Sequence, residues 1–488
     1  MGPEFVPPDI NLAVILPQII LIVSGLTVLL VDLFLKGQKP TLLPLLSVAG
    51  VVAATVSIFA VSMPNESAFR GMLLADGFSS FFNFTVCLIL LLTILVSVAY
   101  QRFFTNIISG EYYCLLFFSA TGMCFMAGAG HLMLLFVALE LMSISIYVLA
   151  GFHKESLQSI EAALKYFLLG AFASSFLLFG FAFLFGATGT MDIVAMSRFI
   201  QANPDVLGSG LLLAGILLTV VGLGFKISMV PFHMWTPDVY EGAPTVITGF
   251  MATGVKAAAF AALIRVLMVP FASLPVDWSM VLWVAAVLTM TVGNVIALVQ
   301  DNIKRMLAYS SIAHAGYLLI GFVSGTELAQ AGILYYLLAY ALMNMGAFGI
   351  LALMGRVGEE RCTLADFHGF GLSHPGWGVA MALFMLSLAG IPPTAGFMGK
   401  LYIFTAAIKS GYIWLVILGA VNSVISIAYY LRVIVVMYFQ QPAPGFATPA
   451  STAAMSIAMT LAAAGVLILG IFPSVFWNLA QQSIFMLI

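Results

Sequence analysis

The sequence predicts an all-α polytopic membrane protein of about fourteen transmembrane helices, and three observations carry that reading. Of its 488 residues, 62% are hydrophobic and only 7% charged, against about 25% charged in a soluble domain. The apolar residues come in runs of about 20, the length a helix needs to cross a bilayer. The connections between runs are short, so any catalytic head must sit on another polypeptide. Net charge is −2, which says nothing about partners, and the absence of a basic cluster argues against nucleic-acid binding.

Taken in order, fourteen apolar segments run at about 11–35, 41–62, 75–100, 112–129, 131–152, 161–187, 208–239, 243–269, 278–299, 304–324, 328–355, 377–409, 411–439 and 453–480. The first is read as a retained span, because Met1 to Leu12 holds Glu4 and Asp9 and lacks the basic region of a signal peptide. The least marked separations are 4/5, at Gly128 to His131, and 12/13, at Lys409 to Gly411. Cys87, Cys114, Cys124 and Cys362 have the spacing of neither a zinc nor an iron–sulfur site and read as small hydrophobes. No metal-binding or cofactor-binding residues are assigned.

Loop charges set an orientation, since Lys and Arg gather on the cytoplasmic side. Loops after odd-numbered segments hold Lys36, Lys39, Arg102, Lys154, Lys304, Arg305, Arg356 and Arg361, whereas loops after even-numbered segments hold Arg70, Arg198 and Lys409. The first set is therefore expected in the cytoplasm, with both termini on the opposite, periplasmic side.

Two segments are too long for a simple crossing and carry breaks, segment 7 at Lys226 to Pro231 and segment 12 at Gly390 to Lys400. Each is fourth in a set of five, 4–8 and 9–13. Broken helices in corresponding positions point to an inverted repeat with functional sites at the breaks. The expected divisions are 1–110 (three helices), 111–270 (first repeat), 271–440 (second repeat) and 441–488 (last helix), and the breaks are expected to put Lys226 and Lys400 in matching places.

Ionisable residues inside these segments are expensive in hydrocarbon, about 3 kcal/mol each on insertion scales, and mark ion or proton paths. Glu140 lies midway through segment 5 and is expected either to couple with a buried lysine or to lock two helices. Lys226 and Lys256 lie in consecutive segments, and a buried lysine, unlike arginine, can release its proton. Snorkelling to the interface is excluded for Lys256, about a dozen residues from either end, stays open as the weaker reading of Lys226, and is accepted for Arg265. Lys400 has two readings, a proton carrier or a cap on the carbonyls freed at its break. His314 in segment 10 likewise reads as a relay imidazole or as a structural histidine bonded to a neighbouring helix. His233, Asp238 and Glu241 form no defensible metal motif and are expected to satisfy one another and the broken backbone. Lys154, Glu161 and Lys165 lie near a membrane surface and read as a solvated face, with entry-funnel charges as the alternative.

The run Phe225-Lys226, Pro231-Phe-His-x-Trp235-x-Pro-Asp238, Gly242-Ala-Pro-Thr245 and Lys256-Ala resembles the signature of the antiporter-like subunits of respiratory complex I. Lys304-Arg-Met-Leu-Ala-Tyr-Ser-Ser-Ile-Ala-His-Ala-Gly316 and Gly390-Ile-Pro-Pro-Thr-Ala-Gly-Phe-x-Gly-Lys400 extend the resemblance over nearly the whole chain. Within the family the chain is most similar to the subunit N branch, since segment 12 carries Lys400 and no lateral-helix extension follows segment 14. One departure is Leu16-Pro-Gln18, where Leu-Pro-Glu is expected. The resemblance implies fourteen helices with a five-plus-five inverted repeat. It also implies one proton channel driven by quinone reduction in neighbouring subunits, with Glu140 and Lys226 as a regulating pair, Lys256 as central relay and Lys400 on the output side. NADH, FMN, iron–sulfur clusters and quinone are implied in partner subunits of the inner membrane complex, none in this chain. The competing readings are a subunit of a multi-subunit Na+/H+ antiporter, which shares the lysines, and an inert membrane spacer, against which the buried charges argue.

Overall fold

The computed structural model describes residues 10–35, 41–60, 66–104, 109–271, 278–356, 358–441 and 451–484. Helices dominate because hydrocarbon supplies no partner for a backbone N–H or C=O, so each spanning segment must satisfy its own. The chain opens with α1 (Leu12–Leu35), α2 (Leu42–Ala60), α3 (Gly77–Tyr100), α4 (Gly110–Gly128), α5 (Leu132–Ala150) and α6 (Leu157–Thr188). A short surface helix, α7 (Ile193–Ala202), leads to α8 (Gly210–Ile227) and α9 (Trp235–Gly242). Segment 8 is one helix, Thr245–Met268, built as α10 (Thr245–Phe250), a π turn over Met251–Val255, α11 (Lys256–Leu263) and a second π turn over Ile264–Met268.

Next come α12 (Trp278–Ala297), α13 (Ile303–Ser324), α14 (Glu327–Ala352), a four-residue turn of helix α15 (Phe370–Ser373), α16 (Pro375–Ala389) and α17 (Ala395–Lys409). The chain ends with α18 (Ile413–Phe439), α19 (Ala453–Ile471) and α20 (Pro473–Gln482). Two small antiparallel hairpins, β1 (Glu66–Ala68) with β2 (Leu73–Ala75) and β3 (Gly355–Arg356) with β4 (Glu359–Glu360), close surface connections.

Among the described residues, twelve helices are long and apolar enough to cross a membrane. Segment 4 forms the 19-residue α4, and segment 12 divides into two 15-residue helices, neither of spanning length alone. Segment 14 is shorter than expected: it stops at Ile471, and Pro473 starts a separate helix. Segment 8, α13 and α14 lie at the centre and are almost wholly buried, whereas α1, α2, α6 and α18 turn residues such as Phe34, Phe59, Phe172 and Val424 outward.

The breaks fall where the sequence puts them. The first is closed by Ser228 in left-handed backbone (φ 64°), its hydroxyl accepting from Thr236 at 2.8 Å. The second is closed by Gly390 (φ 86°), where the missing Cβ suits that backbone. Arg265 does not snorkel. It is 2% exposed and forms a bidentate pair with Asp76, the N-cap of α3, at 2.8 and 2.9 Å. Its Nε donates to the Ala127 carbonyl at 2.5 Å. The sequence reading missed this because Asp76 stands at the very start of segment 3, where a charge reads as a helix cap at the interface and not as a buried partner.

One set of bonds recurs along the chain. Leu132 N–H donates to the Met191 carbonyl and Ile303 N–H to the Cys362 carbonyl, so 132 to 303 and 191 to 362 are each 171 residues. The return bonds, Ile193 to Gly130 and Leu364 to Asp301, keep that spacing. So do the bridges His131–Asp192 and Asn302–Thr363. Gly122 lies against the backbone of Ala138 and Met142, and Gly293 against that of Tyr309 and Ala313, again 171 apart. At the breaks the spacing is shorter: Ser228 to Gly390 and Pro231 to Pro393 are each 162 residues.

Candidate functional site

Four buried cations or relay groups line the centre of the bundle. Lys226 sits in the last turn of α8, just before the first break, and is 2% exposed. Its Nζ donates to Ser143 Oγ at 2.7 Å and to the Tyr147 hydroxyl at 3.2 Å, both on α5. The rings of Tyr147, Tyr166 and Phe225 surround it at 5.3, 5.6 and 5.8 Å. The structure does not bring Lys226 into an ion pair with Glu140. The Glu140 Oε1 is buried without a hydrogen-bond partner.

Lys256 follows the first π turn directly, a distortion that recurs at functional sites. Its ammonium is held by both the carbonyl and the hydroxyl of Ser311 on α13, 5.6 Å from the centre of the Tyr340 ring. The hydroxyls of Tyr240 and Tyr340 also turn to Ser311. One turn further along α13, His314 Nδ1 lies 2.5 Å from the Tyr336 hydroxyl and Nε2 3.0 Å from that of Tyr430, which in turn meets Ser310.

Lys400, on α17, donates to the carbonyls of Leu388 and Ala389 at 3.3 and 3.0 Å and to Ser423 at 2.9 Å. Those carbonyls are the freed C-terminal end of α16, so the ammonium does cap the break and meets the negative end of that helix. It also lies 4.7 Å from the centre of the Tyr317 ring. Aromatic rings join the three stations. Tyr166 stacks on Trp235 at 4.4 Å, and Trp235 meets Tyr240 at 5.9 Å, linking Lys226 to Ser311. Tyr317 meets His314 at 5.8 Å, linking Lys400 to the centre.

Several expectations need correcting. At the spacing of the breaks, position 226 corresponds to 388 and position 238 to 400. Lys226 is therefore matched by Leu388, and Lys400 by Asp238; one lysine precedes its break and the other follows it. At the spacing of the second helices, Glu140 corresponds to Ser311, and His314 to Ser143. Asp238 and Glu241 do not satisfy each other. Arg305 of α13 donates to Asp238 at 2.9 Å and Glu241 at 2.7 Å, and Lys165 of α6 joins Asp238 to Glu161, each at 2.8 Å. This half-exposed ladder lines an open cavity of about 210 Å³ between α6, α9 and α13. Lys304 is no surface charge: its side chain is 2% exposed and bonds Glu360 at 2.6 Å. Lys36 and Lys39 lie outside the described residues.

The hydroxyl residues around the lysines are what sequence reasoning missed. A signal was present on α5, where Glu140, Ser143 and Tyr147 stand at i, i+3 and i+7 on one face.

A family described as "NADH:quinone oxidoreductase/Mrp antiporter, TM" matches residues 129–426. The chain is 48% identical to NADH-quinone oxidoreductase subunit N of Trichlorobacter lovleyi over 476 residues, covering 97% of each. Among solved structures, a chain of respiratory complex I from Thermus thermophilus with bound aureothin is 34% identical with a TM-score of 0.80, over 95% of this chain and 99% of that one. A chain of the Mrp complex from Dietzia sp. DQ12-45-1b shares the fold at 20% identity and a TM-score of 0.81, over 97% of both. Half the molecule or more is matched in every comparison, and the chain belongs to the NADH:quinone oxidoreductase/Mrp antiporter transmembrane family, on the branch of subunit N.

Proposed function

We propose that this chain is a proton-translocating membrane subunit of an NADH-quinone oxidoreductase, coupling quinone reduction in neighbouring subunits to proton movement through its own buried groups. The observation that carries this is the line of Lys226, Lys256, His314 and Lys400 through an otherwise apolar bundle, each within reach of hydroxyls or rings that connect it to the next. In this reading Lys226 with Glu140 regulates the path, Lys256 is the central relay, His314 passes protons between the hydroxyls of Tyr336 and Tyr430, and Lys400 is the output group. The chain takes part as a non-redox subunit, with NADH, FMN, iron–sulfur clusters and quinone in its partners. Paralogous antiporter-like subunits and lipid surround it.

The recurring bonds support two five-helix repeats, helices 4–8 and 9–13, within 111–270 and 271–440, flanked by 1–110 and 441–488. Related by inversion, they would open one half-channel to each side of a bacterial inner membrane, with both termini periplasmic. The likeness to the Mrp complex is one of fold and does not favour the antiporter reading.

The test is protons moved per electron pair in vesicles holding intact complex. Lys256→Ala is expected to assemble normally and lose most coupled pumping. Lys400→Ala separates its two roles. A carrier gives normal complex content with reduced pumping and turnover; a cap alone gives less complex, with what assembles pumping at full stoichiometry. Full pumping by Lys256→Ala at normal content would remove the central relay.

A further inference from the structure

Beside the Lys400 station, α12, α13 and α18 are joined by a buried polar network. Its hub is Asn294 of α12, which is 0% exposed. A carboxamide has an acceptor oxygen and two N–H donors, and all three are bonded here. Oδ1 accepts from the Tyr429 hydroxyl at 2.9 Å. Nδ2 donates to the Tyr317 hydroxyl at 3.1 Å and to Asn422 Oδ1 at 3.3 Å. Asn422 Nδ2 in turn donates to Thr291 Oγ1 at 3.3 Å, back on α12.

The sequence of α18 sorts its polar groups onto two adjacent ridges. Asn422, Ser426 and Tyr429 stand at i, i+4 and i+7, and Ser423 and Tyr430 at i+1 and i+8. The first ridge is buried and turns to Asn294 and Tyr317. The second reaches the lysine and the imidazole. Ser423 accepts from Lys400 at 2.9 Å and donates to the Ala389 carbonyl at 3.4 Å, and Tyr430 meets His314 at 3.0 Å. Among the twelve candidate spans α18 is the least buried, with Val421, Val424 and Val435 turned outward. Lipid supplies no hydrophobic force between helices, so packing and interhelical hydrogen bonds must set the rotation of such a helix. At the 171-residue spacing Asn294 corresponds to Met123 and Tyr317 to Ile146, both apolar and fully buried. Met123 packs against Gly254 of segment 8, a helix buried along its whole length. The polar hub is present in the half whose last helix faces outward.

We infer that Asn294 is a positioning residue for proton transfer at Lys400 and His314. Its amide fixes the rotation of α18, and so sets Ser423 against the ammonium and Tyr430 against the imidazole. The role rests on the proposed function, since it reaches pumping only through groups that carry protons. Side chains stand about 5–6 Å from a helix axis, so a rotation of about 20° moves a hydroxyl by about 2 Å. That is enough to break the 2.9 Å bond between Lys400 and Ser423.

The experiment compares Asn294→Met, Ser423→Ala, the two combined, and Tyr429→Phe in vesicles holding intact complex, with rates normalised to complex content. Asn294→Met places at 294 the residue type that stands at 123. It is expected to lower turnover and pumping together by about tenfold, as for loss of a hydrogen bond to a charged group. KM for quinone stays unchanged, and a density map shows α18 rotated. Tyr429→Phe removes one hydroxyl and keeps the ring. It is expected to lose less in the same sense, and it decides the matter if Asn294→Met does not assemble. Because Asn294 acts through Ser423, the combined variant is expected to lose less than the product of the two separate losses. Losses that simply multiply would overturn the inference. So would wild-type turnover per complex in Asn294→Met and Tyr429→Phe, including the case in which less complex assembles but pumps fully. Lys400→Ala keeps the two levels apart. Full pumping there removes Lys400 from the path, and with it the output step of the proposed function. Reduced pumping there, beside unaffected Asn294→Met and Tyr429→Phe, fails the positioning role alone.

Discussion

Arg265 and Asp76 show what single residues contribute here. The pair is buried, bidentate and shared with the Ala127 carbonyl, so it ties segment 8 to the start of α3 and the end of α4. Removing one member of such a pair strands the other charge, at a cost of about 3–5 kcal/mol. Arg265→Met is therefore expected to lower the thermal midpoint of the purified complex sharply, and Arg265→Met with Asp76→Asn to recover part of the loss. A double variant no more stable than the single one would show that the guanidinium matters for packing rather than charge. At this scale the sequence marked Lys226, Lys256 and Lys400, because a charge stands out in an apolar run. Their partners stayed hidden. Ser143, Ser311 and Ser423 carry no charge, and which hydroxyl meets which ammonium depends on helix rotation, which composition does not specify.

The elements were legible where a residue type forces the backbone. Pro231 and the Pro392–Pro393 pair cannot continue a helix, and both breaks were placed from them. The π turns flanking α11 were not legible, because no residue pattern marks a register slip inside an alanine-rich helix. Nor was the hairpin β3–β4, whose role becomes clear only in space. It delivers Glu360 to Lys304 at 2.6 Å, to the Tyr100 hydroxyl at 2.6 Å and to the Thr245 N–H at 2.8 Å, fastening the ends of α3, segment 8 and α13. Burial alone would raise the Glu360 carboxyl, but the Lys304 charge and these bonds outweigh it and hold it below its ordinary 4.5. A carboxyl depressed in the folded state contributes stability that is complete above the unfolded pKa and is lost as pH falls through the folded one. Wild type is thus expected to exceed Glu360→Gln in thermal stability by a constant margin above about pH 6. The margin should shrink below 4.5. A margin that held undiminished well into acid would show that the carboxylate charge is not what fastens the hairpin.

For the whole molecule, alternation of apolar runs and short loops predicted the all-helical bundle because the bilayer imposes length and internal bonding on every span. It did not predict which helices face lipid, since segment 8, α13 and α14 read as ordinary spans. The Lys and Arg bias predicts sidedness, and two exposed loops test it. Cysteines at Glu155, after α5, and Asp205, after α7, should react oppositely with an impermeant thiol reagent, Asp205→Cys from outside cells and Glu155→Cys only in inverted vesicles. The native cysteines are all buried, so background labelling is low. Equal labelling from one side would overturn the orientation. The central trio has a further consequence, for biogenesis. Segment 8, α13 and α14 have the lowest mean hydropathy of the twelve candidate spans, and two of them carry Lys256, Arg265 and His314 within their length. Each leaves the ribosome before the helices that will surround it are complete: α13 and α14 precede α17 and α18, and α18 supplies the Tyr430 hydroxyl to His314. A helix bearing such groups partitions poorly into lipid on its own. These three helices are therefore expected to enter the bilayer in company with neighbouring spans and not one at a time.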